Sequence, residues 1–248
     1  MLFILLAVAI VGTLAEIPVT LTEDEITNFY NTELAKISTA GYIKFLSGRG
    51  LGVVSTRNLI RGDRIMAIDP QDTINEFSDY PFKKHIEDQG DDIVLIGRIL
   101  WEKFMKKRPD TSISYYVHSL PTEMHNEITW EQEDIELFEK YSLTKYKSSV
   151  ANKNIKKHDD FVEALKNFPE INPRVLEWES WIWAVANYKA RNHSFAKAEW
   201  RKMMNLKVSA MDFLENTHVL IPMFDILNHS PLPGAGRPID LQRPVGMF

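Results

Sequence analysis

The chain has 248 residues, 44% of them apolar and 25% charged, long enough for one large domain or two small ones with a real core. A net charge of −5 gives no basis for nonspecific binding to nucleic acid. The absence of cysteine excludes disulfides, thiolate metal sites and cysteine nucleophiles, and fits a reducing compartment.

Against that compartment stands the beginning of the chain. Leu2 to Ala15 is an unbroken run of apolar and small residues, too short to cross a bilayer as a helix. Thr13-Leu14-Ala15 before Glu16 puts a small residue at both positions a signal peptidase reads, so residues 1–15 read as a signal peptide. No Lys or Arg precedes Lys36, which leaves a buried N-terminal helix or a different start as the alternative. No stable membrane span is expected.

Thr22 and Glu25 have the spacing of a capping box, and Ile26, Phe29, Tyr30, Leu34 and Ile37 follow on one helical face, with Gly41 ending the helix. Three β-like pieces come next, at residues 42–45, 51–55 and 64–68, separated by Gly48-Arg49-Gly50 and by Arg61-Gly62-Asp63; they predict a small twisted antiparallel unit. From Asp91 the period changes. Ile93, Ile96, Ile99, Leu100 and Phe104 form a helical stripe closed by Lys106-Lys107-Arg108-Pro109, with basic residues at the negative end of the helix dipole. Further helices are predicted over 131–141, 160–167 and 177–189. The basic run from Lys153 to Lys157 reads as a solvated helix face, and Val219-Leu220-Ile221 before Pro222 as a buried strand. Residues 231–248 hold four Pro and three Gly without apolar periodicity, the composition of a coil.

Taken singly, the polar motifs are bland. Gly48-Arg49-Gly50 between short strands is the mark of a tight turn, Arg191 near the end of an aromatic helix complements the dipole, and Asn228-His229 could cap a strand. The seven histidines show no metal-ligand spacing, and neither a Gly-x-Ser-x-Gly elbow nor a phosphate loop is present.

Their order carries more. Ser47-Gly48-Arg49-Gly50-Leu51 stands near the start, Tyr116-Val117-His118-Ser119-Leu120-Pro121 follows, and Trp183-Ala184-Val185 with Arg191 precedes Asp225-Ile226-Leu227-Asn228-His229. This set resembles the SET-domain protein methyltransferases whose core is split by a long helical insert, the group of the Rubisco and actin-histidine methyltransferases. The resemblance runs over residues 42–230. It implies an α+β fold, small twisted β-sheets interrupted by a helical insert at about 80–180 within a SET-like domain of residues 22–230. The cofactor implied is S-adenosyl-L-methionine, with Ser47, Gly48, Arg49, Arg191, Asp225, Ile226, Leu227, Asn228 and His229 as its contacts.

A planar guanidinium at Arg191 suits a carboxylate, and the Asn228 amide suits the zwitterionic end of an amino acid. His229 reads as a fixed hydrogen-bonding position. The partner implied is a protein substrate, met by a monomer. Two departures from the family pattern stand out. Ser47 replaces the usual acidic residue, and no tyrosine follows Tyr188, whereas the family's catalytic tyrosine and its closing segment lie after Asn-His. No catalytic residue is therefore assigned, and the chain as written is expected to be inactive. Two functions are open: a protein-lysine (or histidine) methyltransferase, or a non-catalytic SET-like interaction module, which the leader would place in the secretory pathway. The leader points to that pathway and the resemblance to cytoplasm or nucleus. Asn192-His193-Ser194 and Asn228-His229-Ser230 both match the glycosylation signal, which sets a working leader against a working cofactor site.

Overall fold

The computed structural model describes residues 21–38, 40–46, 50–60, 63–106, 108–141 and 147–224. The leader at residues 1–15 and the coil at 231–248 lie outside them. Helix α1 (Glu23–Ile37) opens on the predicted capping box: the Thr22 hydroxyl accepts from the Glu25 amide at 3.2 Å, and the Glu25 carboxylate accepts from the Thr22 amide at 2.8 Å. The helix ends at Ser38, whose hydroxyl donates to the Ile65 carbonyl. Gly41 is not its stop. It begins strand β1 (Gly41–Leu46), where a Cβ would meet Val53 Cγ1 and the Val54 carbonyl oxygen at 2.9 Å each.

Strand β2 (Gly50–Ser55) pairs antiparallel with β1, Leu46 opposite Gly50. Ser47, Gly48 and Arg49 join these strands and lie outside the described residues. The hairpin is tied to α1 by one side chain: Asn31 accepts from the Ile43 amide at 2.7 Å and donates to the Ile43 carbonyl at 3.0 Å, satisfying both backbone groups as a neighbouring strand would. The third β-like piece is a correction. Residues 64–68 follow an irregular path with no strand partner among the described residues, because the Ile65 carbonyl is taken by Ser38 rather than by a ladder.

A second sheet has the order β3-β5-β4, built from β3 (Ile74–Asn75), β4 (Asn192–Ala196) and β5 (Asn216–Leu220), all antiparallel. Thr217, Val219 and Leu220 of the central strand are fully buried, as the apolar run predicted. Between β3 and β4 the chain is helical: α2 (Asp91–Leu100), α3 (Ser112–Ser119), α4 (Gln132–Tyr141), α5 (Lys147–Leu165) and α6 (Trp178–Arg191). A short α7 (Lys197–Met203) links β4 to β5.

The stripe from Ile93 to Phe104 is one continuous helical run, α2 passing into a π-type turn at Trp101–Met105. The core lies between α2 and α6, around Trp181, Phe82, Phe161 and Tyr116. Phe29 stacks on Tyr115 with centroids 4.0 Å apart, and the Tyr30 and Ser119 hydroxyls are 2.6 Å apart, so α1 anchors the hairpin to this helical body. The basic run from Lys153 to Lys157 belongs to the long α5, where Lys157 pairs with Asp92 and Lys156 with Asp160.

Candidate active site

The site is built on α6 and on the two strands that follow from it. Leu120-Pro121 and residues 124–126 brace α6: the Trp183 indole donates to the Pro121 carbonyl at 2.7 Å, and Asn126 donates to the Ala186 carbonyl at 3.0 Å. The Tyr116-to-Pro121 and Trp183-Ala184-Val185 motifs, more than sixty residues apart in sequence, therefore meet in space. Asn187, fully buried, donates its amide to the Trp183 carbonyl at 3.0 Å and accepts from Arg191 Nη1 at 3.2 Å. The same guanidinium nitrogen lies 3.8 Å from Met124 Sδ. Arg191 is thus held one helical turn beyond a buried amide at the carboxyl end of α6, where a cation is favoured.

Directly after Arg191 the chain enters β4. Asn192 stands opposite Leu220 on β5, so the continuation of β5, Ile221-Pro222-Met223-Phe224, leaves the sheet beside Arg191. That continuation is a tight turn in which the Phe224 amide donates to the Ile221 carbonyl at 3.1 Å. Met223 has φ 68° with its side chain buried, in the left-handed region that a β-turn with Pro222 at the preceding position ordinarily gives to glycine. Such a conformation costs about 1 kcal/mol or more and clusters at functional sites. Asp225, Ile226, Leu227, Asn228 and His229 come next and lie outside the described residues, as do Ser47, Gly48 and Arg49. Of the predicted cofactor contacts, Arg191 is the one described.

Two side chains beside Arg191 were not singled out as site residues from the sequence. His193 packs its ring edge-on against Phe224 at 4.7 Å, and its buried Nε2 has no hydrogen-bond partner among the described residues. Burial holds its pKa below the ordinary 6.5, so the neutral ring is favoured. Asn192 donates to the Tyr188 carbonyl at 3.0 Å, capping α6, and its Oδ1 lies 3.0 Å from His218 Nδ1. A glycan on that nitrogen would remove the cap. Tyr188 is buried in the core, and burial together with Asp92 and Asp91 pushes its hydroxyl well above the ordinary 10, which removes it as a candidate base.

Among solved structures the chain is similar to the SET domain of LSMT bound to lysine and AdoHcy, with a TM-score of 0.59 and 19% identity over 84% of this chain and 44% of that one. It is likewise similar to Rubisco LSMT bound to sinefungin and monomethyllysine (TM-score 0.58, 18% identity, 83% of this chain and 45% of that one) and bound to AdoMet (TM-score 0.57, 18% identity, 83% and 45%). The fold is that of a SET domain. The chain spans less than half the length of these SET-domain structures. No family model matches the sequence, and no curated protein matches it.

Within the SET fold, Arg191 is oriented by a buried amide, and His193, whose Nε2 has no hydrogen-bond partner among the described residues, packs on Phe224 of the strained turn. These groups fit a small polar ligand carrying a carboxylate. Among the described residues no cluster of His, Cys, Asp and Glu could hold a metal, and no helix is long and apolar enough to cross a membrane.

Proposed function

We propose that this chain forms the cofactor-binding part of an S-adenosylmethionine-dependent protein methyltransferase whose acceptor is a protein lysine. The observation that carries this reading is the placement of Arg191, fixed by Asn187 and delivered beside the turn that leads into Asp225. In support, the structures of similar fold were solved with AdoMet or AdoHcy and with lysine or monomethyllysine. Arg191 would hold the carboxylate of the cofactor's amino-acid end, Asn228 its zwitterionic groups, and Ser47, Gly48 and Arg49 would let backbone approach closely from the hairpin. The cofactor supplies a methyl group on a sulfonium, ready for in-line transfer. The residues around it contribute orientation and exclusion of water. An acceptor lysine must be neutral to attack, which a site poor in water favours. No residue of this chain is assigned the catalytic role.

Titration calorimetry of the 248-residue chain with S-adenosylhomocysteine tests the reading. A charged hydrogen bond is worth about 1.5–3 kcal/mol, so Arg191→Ala should weaken binding by about ten- to a hundredfold. A folded chain that does not bind, or binding indifferent to Arg191→Ala, would overturn it.

A further inference from the structure

The π-type turn at Trp101–Met105 carries a charge that the cofactor reading does not use. Turns of this type are uncommon and recur at functional sites. Here the turn sends two neighbouring side chains toward α6. The Lys103 ammonium stands over the Trp183 ring, 5.5 Å from its centre. Phe104 meets the same ring edge-on at 6.1 Å, and the Arg174 guanidinium lies over Phe104 at 5.5 Å. The segment bearing Arg174 is bolted to the turn: Asn172 donates its side-chain amide to the Phe104 carbonyl at 2.9 Å and its backbone amide to Met105 Sδ at 3.2 Å. The Asn172 side-chain oxygen accepts from the Arg174 backbone amide at 3.1 Å. Trp183 is fixed by its indole bond to Pro121. Two cations are therefore mounted on one aromatic pair whose supports are hydrogen-bonded in place.

Neither charge is closely neutralised. Lys103 is half-buried, and among the described residues its ammonium has the indole ring but no hydrogen-bond acceptor and no ion-pair partner. Its neighbour Glu102 is fully buried and turned to Arg98 at 2.5 Å and Lys106 at 3.0 Å. Arg174 reaches Glu177 through Nε at 3.8 Å, with the two side chains 39% and 48% exposed, a contact worth little. Its two Nη groups have no hydrogen-bond partner among the described residues. Burial, and after it the Arg174 charge, hold the Lys103 pKa below the ordinary 10.5, and no carboxylate offsets them. The two cations are thus near enough to repel one another, and an anion held by both would relieve that repulsion.

We propose that Lys103 and Arg174 form a binding site for a phosphate monoester. The edge of a guanidinium offers a planar pair of N–H donors that matches two phosphate oxygens, and an ammonium adds a point charge. A phosphate monoester carries about −1.5 to −2 at neutral pH, which balances both cations, where a carboxylate would balance one. Two cations are too few to hold a nucleic acid, whose binding rests on many phosphate contacts. Phosphate of this kind is met free in solution or on a phosphorylated side chain, and the experiment separates the two sources. The inference does not rest on the cofactor reading, with which it shares the Trp183–Pro121 brace of α6.

Calorimetric titration of the full chain at fixed ionic strength tests the site with inorganic phosphate, a short phosphoserine peptide and the same peptide unphosphorylated. The two phosphate ligands should bind saturably and the unphosphorylated peptide should not. Lys103→Met and Arg174→Gln should each weaken phosphate binding by about tenfold or more. Because the Lys103 ammonium has no ion-pair partner to lose, Lys103→Met should keep or raise the unfolding temperature measured without phosphate. Circular dichroism checks that both variants keep their helix content. Tighter binding of the phosphopeptide than of inorganic phosphate assigns the site to a phosphorylated protein, and equal or weaker binding assigns it to free phosphate; both results support the site. Absence of saturable binding by either phosphate ligand overturns the inference, as does binding that either variant leaves unchanged. A Lys103→Met chain that unfolds at a much lower temperature would make the lysine a structural group and also overturn it.

Discussion

Replacing Lys197 with methionine isolates the charge cluster that clamps the strand pair behind Arg191. The Lys197 ammonium lies 2.8 Å from Glu76, 3.2 Å from Glu215 and 3.4 Å from Asp91, joining the segment after β3, the start of α2 and the start of β5. Its side chain is 13% exposed and that of Glu76 is 9%. Burial alone pulls the ammonium down, but the hydrogen bond and charge of Glu76 with the charge of Asp91 outweigh it and hold the lysine above its ordinary 10.5. Burial also raises Glu76 above its ordinary 4.5, with Lys197 opposing.

Methionine keeps the aliphatic stem and removes the charge, so the loss falls on Glu76. Breaking a buried pair costs about 3–5 kcal/mol, but Glu76 can escape by taking a proton. From 4.5 to pH 7 that costs at most about 3.4 kcal/mol at about 1.4 kcal/mol per pH unit, and at pH 5 about 0.7 kcal/mol. The expected destabilisation is therefore about 2–3 kcal/mol at pH 7 and under about 1 kcal/mol at pH 5. Urea unfolding at the two pH values measures both, and adding Glu76→Gln to the variant should restore most of the loss at pH 7. In the unmodified protein the raised lysine contributes stability that is complete below 10.5 and lost as pH climbs through its folded value. A loss independent of pH, or one that survives Glu76→Gln, would refute this account.

Gly97→Ala tests packing against helix propensity: alanine should gain up to about 1 kcal/mol in an exposed helix. Here its Cβ would meet Ile86 Cδ1 at 2.6 Å and Tyr80 Oη at 2.7 Å. Tyr80 is fixed by its bond to the Val94 carbonyl at 2.6 Å, so thermal unfolding should show a net loss of about 1–2 kcal/mol, and a stabilised variant would contradict the packing. His193 has a lowered pKa, so its contribution is present above 6.5 and is lost as pH falls through the folded value. His193→Phe should flatten that part of the stability profile in urea titrations between neutral pH and pH 5, and an unchanged slope would place the proton elsewhere.

What was legible in the sequence was whatever rests on local chemistry. Thr22 with Glu25 needed only three residues of spacing to declare a capped helix, and the apolar run at 219–221 marked the buried end of β5, with Ile221 itself opening the turn that follows. Residues 64–68 misled because alternation over five positions cannot reveal whether a partner strand exists, and Ser38 takes the carbonyl that a ladder would need. Helix α3 was missed since its buried face, Ser114, Tyr116, Val117 and His118, is half polar and shows weak periodicity. Strand β4 is five residues without a continuous apolar side, and it exists because β5 pairs along its whole length. Arg191 was visible through the order of motifs. Asn187 was not, although its spacing of four residues from Arg191 on the same helix is the signal that would have found it. Its role depends on Pro121 and Trp183 converging on it, a long-range fact.

The most direct test of the central claim is a crystal structure of the chain with S-adenosylhomocysteine. The ligand's carboxylate should lie on the Arg191 guanidinium, beside the turn formed by Ile221, Pro222, Met223 and Phe224. A ligand bound elsewhere, with Arg191 still turned onto Asn187 and Met124 and touching nothing of it, would contradict the account.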